Sequence, residues 1–298
     1  MGHKSGFVNI IGAPNVGKST LLNALLGEKL SIITHKPQTT RHRIIAIANT
    51  DEYQIVFSDT PGIILEPGYK MQQAMNSFAF SALEDADVLI YMIDVMQPSY
   101  PSEELVKKLN KCQCPKYVIL NKIDIADSNI LKEVTKECAL QLPEFNPIAI
   151  SALEKIGTEE LLTVIEKNLP EAPPYYPKDQ FTDRSERFFV SEIIREKILQ
   201  LYHQEIPYSC EVIITAFKED LTRKDKLIRI MADIIVNRRT QKSIIIGKGG
   251  SAIKKLGIAA RKDIETFLER RVYLELYVKI REKWRDDDRS LKSYGYLQ

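Results

Sequence analysis

The residues Gly12-Ala13-Pro14-Asn15-Val16-Gly17-Lys18-Ser19 set two glycines, a lysine and a hydroxyl at the spacing G-x-x-x-x-G-K-[ST]. Glycines let the main chain wrap closely, so successive N–H groups and a helix N-terminus converge on phosphate oxygens. Lys18 has the reach for the β- and γ-phosphates of a nucleotide, and the Ser19 hydroxyl suits one position on Mg²⁺. The stretch from Gly12 to Thr20 is the expected phosphate contact. The competing reading is an ordinary glycine-containing turn. Context weakens it, because an apolar strand over 7–11 precedes the loop and a helix over 18–26 follows it.

A second group selects the base. Asn121-Lys122-Ile123-Asp124 ends an apolar run, and the Asp124 carboxylate can accept from both the N1–H and the 2-amino group of guanine. Adenine offers neither donor, and an unmatched carboxylate is costly. Ser151-Ala152-Leu153 adds a small-residue turn with a main-chain N–H for the base carbonyl. Between these lie Asp59-Thr60-Pro61-Gly62 and Gln38-Thr39-Thr40-Arg41. Asp59 is placed to hold Mg²⁺ through water, Gly62 to offer its N–H to a γ-phosphate, and Thr40, in preference to Thr39, to supply a further Mg²⁺ ligand.

This ordered set resembles the small GTPases of the translation-factor-related class. The resemblance implies GTP/GDP and Mg²⁺ as ligands, with Lys18, Thr40 and Gly62 among the catalytic contacts. One residue departs from the pattern. Many such proteins carry a glutamine after this glycine to orient the attacking water, whereas this chain has Ile63. Intrinsic hydrolysis is therefore expected to be slow. In GTPases similar to this one, an asparagine at the place of Asn15 helps to hold a monovalent cation, which implies K⁺.

A third group lies far downstream. Ile246-Gly247-Lys248-Gly249-Gly250-Ser251 forms a G-x-x-G loop, expected after an apolar strand over 242–246 and before a basic helix with Lys254, Lys255, Arg261 and Lys262. Such a loop admits a nucleic-acid backbone and leaves the bases over an apolar groove. Residues 238–262 hold eight basic side chains and no acidic one. Expected RNA contacts are Ile246 to Ser251, Lys254 and Lys255.

The elements that must position these groups fall into two sets. Strands over 7–11, 44–48, 53–57, 88–93, 117–120 and 147–150 alternate with helices over 18–26, 69–83, 102–110, 129–141 and 158–168. That alternation predicts an α/β nucleotide domain, with a mostly parallel sheet and helices on both faces. A hairpin near Asn49-Thr50-Asp51-Glu52 makes one strand antiparallel. Four of the 14 prolines fall within 170–177, where neither helix nor central strand can run through. Charge changes there too. Residues 1–176 carry 16 Lys and Arg against 21 Asp and Glu, whereas residues 177–298 carry 26 against 19. The expected division is a nucleotide domain over 1–172, a linker over 173–180 and an α+β nucleic-acid domain over 181–298.

Composition narrows the setting. With 44% hydrophobic residues, the 298-residue chain can bury two cores, and no apolar run approaches the length of a membrane span. The opening residues lack a signal-peptide pattern, and four cysteines without zinc spacing suit a reducing cytosol. His35 and His42 read as polar loop residues, and Asp286, Asp287 and Asp288 as a solvated turn.

The downstream order resembles the prokaryotic-type KH domain. A GTPase bearing Pro-Asn-Val-Gly-Lys-Ser, Gln-Thr-Thr-Arg-His-Arg and Asp-Thr-Pro-Gly, joined to such a domain, resembles the bacterial Era family over essentially the whole chain. That resemblance implies a ribosome-assembly GTPase that binds the 3′ end of small-subunit ribosomal RNA. It also implies the small subunit as partner and peripheral contact with the cytoplasmic face of the membrane; a monomer is expected. An RNA-processing enzyme driven by hydrolysis is the rival reading. It lacks a modifying nucleophile or a catalytic carboxylate pair in this sequence.

Overall fold

The structure, a computed structural model, describes residues 2–27, 30–34, 36–219 and 227–297. The chain forms two compact units, Met1–Gly68 with Gln72–Asp183 and Tyr69–Met71 with Arg184–Gln298. The proline-rich segment expected as a linker is counted with the first unit. There it runs along a sheet edge: Ile47 N donates to Phe181 O at 2.9 Å, and the Gln54 side-chain carbonyl accepts from Tyr175 N and Tyr176 N at 2.7 and 2.9 Å.

The first unit runs β1 (Lys4–Gly12), α1 (Lys18–Leu26), β2 (Ile44–Asn49), β3 (Tyr53–Asp59), α2 (Lys70–Ser81), β4 (Val88–Asp94), α3 (Glu103–Asn110), β5 (Lys116–Asn121), α4 (Ser128–Gln141), β6 (Asn146–Ile150) and α5 (Thr158–Asn168). Its six strands lie in the order β2-β3-β1-β4-β5-β6. All pairings are parallel except β2 with β3, the expected hairpin. Leu21, Leu22, Leu161 and Ile165 cover one face of the sheet, while Ala79, Leu105, Leu109 and Val134 cover the other. Every residue of β4 is buried, which is why that strand reads as an unbroken apolar run rather than an alternating one. Chain order reverses at β1, so the loops leaving the carboxyl ends of β1, β3, β5 and β6 converge on one cleft.

The second unit runs α6 (Glu186–Leu201), α7 (Ile206–Ser209), β7 (Cys210–Glu219), β8 (Ile228–Val236), α8 (Arg239–Ile246), α9 (Ser251–Leu268), β9 (Val272–Ile280) and α10 (Asp288–Ser293). Its sheet has the order β7-β8-β9, antiparallel then parallel. Val190, Ile194 and Ile198 of α6 pack with Leu256, Ala260 and Ile264 of α9 on one sheet face. The strand expected over 242–246 is instead the helix α8. The helix buries Ile245 and leaves Ile244 exposed. The Gln241 side chain accepts from Asn237 N at 3.0 Å and Arg238 N at 3.1 Å, which fixes the helix start.

The tail also differs from expectation. Asp287 caps α10 through Ser290 N at 2.9 Å, and Trp284 is buried with its indole N–H donating to Ser209 O at 3.1 Å. Asp286 and Asp288 are exposed, as a solvated turn requires, while Asp287 is half-buried and serves as the cap. His42 does lie in the loop before β2 but is buried there, its ring 5.7 Å from that of Phe78; His35 lies outside the described residues. Among the described residues, no helix is long and apolar enough to cross a membrane, and no cluster of side chains suits a transition-metal-type site.

Candidate nucleotide site and nucleic-acid interface

A cavity of about 720 Å³ opens at the carboxyl ends of the strands, within the range of small-molecule sites. Ala13 to Thr20 line its floor, with Gly17 the N-cap of α1. Lys18 folds back over its own loop, donating to Gly12 O at 3.1 Å and Ala13 O at 2.8 Å. Burial pushes the Lys18 ammonium down to about 8, against the attraction of Asp59. Asn15 sits in the left-handed region with φ 64°, exposed at the cavity wall.

Three side chains expected around Mg²⁺ meet beside this loop. Ser19 Oγ donates to Asp59 Oδ2 at 2.7 Å and lies 2.9 Å from Thr40 Oγ1, which itself reaches Asp59 Oδ2 at 3.3 Å. Thr39 turns elsewhere, to Thr34 Oγ1 and Lys36 O, each at 2.7 Å. Asp59 is fully buried, and its Oδ1 has no hydrogen-bond donor; Ser31 Oγ lies within electrostatic reach without hydrogen-bond geometry. Burial raises the Asp59 carboxyl above the usual range, while the Ser19 hydrogen bond and Lys18 charge pull it down. A buried carboxylate oxygen without a donor, beside two hydroxyl oxygens, is a donor set that fits Mg²⁺.

The segment after Asp59 is packed closely. A Cβ on Gly62 would stand 2.6 Å from Pro14 Cα, so only glycine lets this loop meet the phosphate loop. Among the described residues the Gly62 N–H has no protein acceptor. Thr60 Oγ1 donates to Ile10 O at 2.7 Å and is buried beside Pro61. Ile63 is buried against the core that includes Ile11 and Leu89, and its N–H donates to Gly12 O at 3.0 Å. Its side chain is therefore held away from the cavity.

At the other end of the cavity, Asp124 and Ile125 form a 3₁₀ turn at the rim, entered through Lys122 at φ 71°. Asp124 faces solvent. Asn121, expected at the nucleotide, lines the cavity, and its amide also joins two loops: Nδ2 donates to Val16 O at 2.8 Å and Oδ1 accepts from Ala152 N at 2.9 Å. Ser151 N is also engaged, with Ile156 O at 3.0 Å. The Leu153 N–H alone in that turn has no protein partner among the described residues, and Leu153 lines the cavity. One residue escaped the sequence reading. Asp94, which ends β4, pairs with Lys122 Nζ at 2.6 Å and also lines the cavity. Its place at the end of a buried strand was the available signal.

In the second unit, the G-x-x-G loop joins α8 to α9 through a 3₁₀ turn, Lys248–Gly250. Gly249 and Gly250 have φ 60° and 76°, and a Cβ on either would meet nothing within 4 Å. Gly247 differs, because a Cβ there would stand 2.6 Å from that of Ala252. The loop thus turns bare backbone outward. Lys248, Ser251, Lys254 and Lys255 are exposed around it, and half-buried Ile246, Ile253, Leu274 and Leu276 line the adjoining apolar surface. Backbone for phosphates, cations beside it and an apolar strip for bases are what single-stranded nucleic acid requires.

Comparison with known proteins agrees with both units. Residues 7–122 match the family described as 50S ribosome-binding GTPase, and residues 205–285 match the KH domain. The chain is 47% identical to the GTPase Era of Syntrophus aciditrophicus, with 98% of this chain and 95% of that one covered. A crystal structure of Era in complex with MgGDPNP and nucleotides 1506–1542 of 16S ribosomal RNA superposes with TM-score 0.93 at 39% identity, covering 99% of this chain and 100% of that one. A substituted Aquifex aeolicus Era bound to GDP·AlF₄⁻ gives the same TM-score of 0.93 and 39% identity, with the same coverage of both chains. Both expected domains, in their expected order, are therefore shared along the full length with these relatives, and the chain belongs to the Era family of GTPases.

Proposed function

We propose that this GTPase is a nucleotide-driven switch whose KH unit holds the 3′ end of small-subunit ribosomal RNA during assembly of the small ribosomal subunit. The observation that carries the reading is the full-length likeness to an Era that holds MgGDPNP and the 16S fragment together. In this chain the phosphates fall to the N–H groups from Gly12 to Thr20 and to Lys18, and the base to Asp124 and the Leu153 N–H. Ser19 and Thr40 would hold Mg²⁺ directly and Asp59 through water. The ion, when bound, neutralises charge on the β- and γ-oxygens. The Gly62 N–H then reports the γ-phosphate to the loop that carries Ile63. Loss of that contact on hydrolysis releases the loop, which is the switch.

The assignment of Thr40 over Thr39 has a direct check. Thr40→Ala should raise the Mg²⁺ concentration for half-maximal binding of GDPNP by about tenfold. Thr39→Ala, whose hydroxyl serves Thr34 and Lys36, should leave it nearly unchanged. Titrating Mg²⁺ against a fluorescent GDPNP separates the two. Equal shifts would remove Thr40 from the metal site.

Ile63 cannot orient water, so charge stabilisation must come from elsewhere. Asn15 supports a K⁺ ion held against the phosphates, which supplies positive charge where the transition state gathers negative charge. Single-turnover hydrolysis and GDPNP affinity should both be higher in K⁺ than in Na⁺ at fixed ionic strength. Asn15→Ala should abolish both differences, while Ile63→Ala should leave them in place. Equal values in the two salts for the unsubstituted chain would contradict the cation role. The basic surface of the KH unit would also give peripheral contact with an anionic membrane, which flotation with anionic vesicles, with and without RNA, would test.

A further inference from the structure

We propose that a second cavity, inside the KH unit, is a nucleotide-sized RNA subsite that extends the G-x-x-G interface beyond the start of α8. The cavity measures about 630 Å³. Its walls are the α7 segment with Tyr208, the turn Asn237-Arg238-Arg239, and the tail with Lys283 and Arg285. Four basic and three acidic residues line it. That mixture differs from a bare polyanion site, where cations alone would line the wall. It suits a nucleotide, which offers a phosphate to arginine and a base edge to mixed donors and acceptors.

Two of the lining residues also carry a buried polar atom without a hydrogen-bond partner. Asn237 Oδ1 has no donor, and Arg285 Nε has no acceptor. Unmatched buried polar atoms are rare, and each leaves a desolvation cost unrecovered. The walls are built to hold their shape, because Gln241 fixes the main chain of Asn237 and Arg238, and Trp284 fixes the tail to Ser209.

RNA is favoured over another ligand by continuity. The cavity lies at one end of α8 and Gly247 at the other, and eight helical residues span about 12 Å. The basic run without an acid begins at Arg238, in the cavity wall, and passes through the G-x-x-G loop. A strand held at that loop reaches the cavity within a few nucleotides. This inference rests on the RNA reading given above.

The test uses the full chain and an RNA copy of 16S nucleotides 1506–1542, together with versions shortened one nucleotide at a time from either end. For the unsubstituted chain, one shortening step should cost about tenfold in affinity, the scale of one well-made base contact. Asn237→Ala and, separately, Arg239→Glu at an exposed position should each lose about tenfold on the complete RNA. Both should be indifferent to that shortening step, with unchanged GDPNP affinity. Variants that bind the complete RNA normally, or lose the same factor on every length, overturn the subsite alone. A chain that binds GDPNP but none of the RNAs overturns the RNA reading and the subsite with it.

Discussion

Replacing Asp124 with asparagine should cut GTP affinity by about a hundredfold or more and move preference toward xanthosine triphosphate. The argument starts from the rim of the cavity, where Asp124 sits in a short 3₁₀ turn and faces solvent. Its carboxylate is acceptor-only and matches the N1–H and 2-amino donors of guanine. Hydrogen bonds to a charged group contribute about 1.5–3 kcal/mol each, so losing two explains the size of the expected effect. An asparagine in the same place offers an N–H₂ to the 2-carbonyl of xanthine. The substitution should not disturb the site otherwise, because no protein partner in the described residues depends on Asp124; Asn121 and Lys122 carry the loop-to-loop contacts. Competition binding among GTP, ATP and XTP measures the outcome. An unchanged preference for GTP would remove Asp124 from the base site.

The second large effect is expected in the other unit. Gly249→Asp should lower RNA affinity by about a hundredfold or more while leaving GTP affinity near that of the unsubstituted chain. Gly249 has φ 60°, and a Cβ there would meet nothing within 4 Å, so the loop can accept the side chain. Aspartate also tolerates left-handed backbone better than most residues. What changes is charge. The carboxylate faces the surface where phosphates are to pass, and like charges brought together at an interface cost several kcal/mol. Gly249→Asn, with similar shape and no charge, should lose far less. Gly247→Asp would fail for a different reason, since its Cβ would stand 2.6 Å from that of Ala252. Binding measured across a salt series should fall steeply for the unsubstituted chain, as expected when cations displace counterions from phosphates. Normal RNA binding by Gly249→Asp at physiological salt would overturn the G-x-x-G assignment.

What was legible in the sequence was chiefly local. The phosphate loop lies between β1 and α1, and the helices over 18–26 and 158–168 are found at those bounds, because glycine spacing and helical periodicity act over a few residues. The hairpin of β2 and β3 was legible for the same reason. What failed depended on contacts distant in sequence or on caps that imitate another pattern. The run Ser243-Ile244-Ile245-Ile246 has the branched side chains of a strand, yet it is helical, because Gln241 closes the turn before it and the helix carries Ile245 into the core. The second role of Asn121, which lines the cavity while its amide ties Val16 to Ala152, depends on partners 105 and 31 residues away. No spacing rule reports such a brace. Charge composition accounts for exposed Asp286 and Asp288 but not for the cap at Asp287, whose place follows from the buried Trp284.

The central claim is that the KH unit of this GTPase serves one defined RNA end. Crosslinking the full chain to RNA in cells, followed by sequencing of the bound fragments, addresses it most directly. The account predicts fragments concentrated at the 3′ end of small-subunit ribosomal RNA, and their loss with Gly249→Asp. Fragments spread over transfer RNA, messenger RNA or large-subunit RNA, with no enrichment at that end, would contradict it.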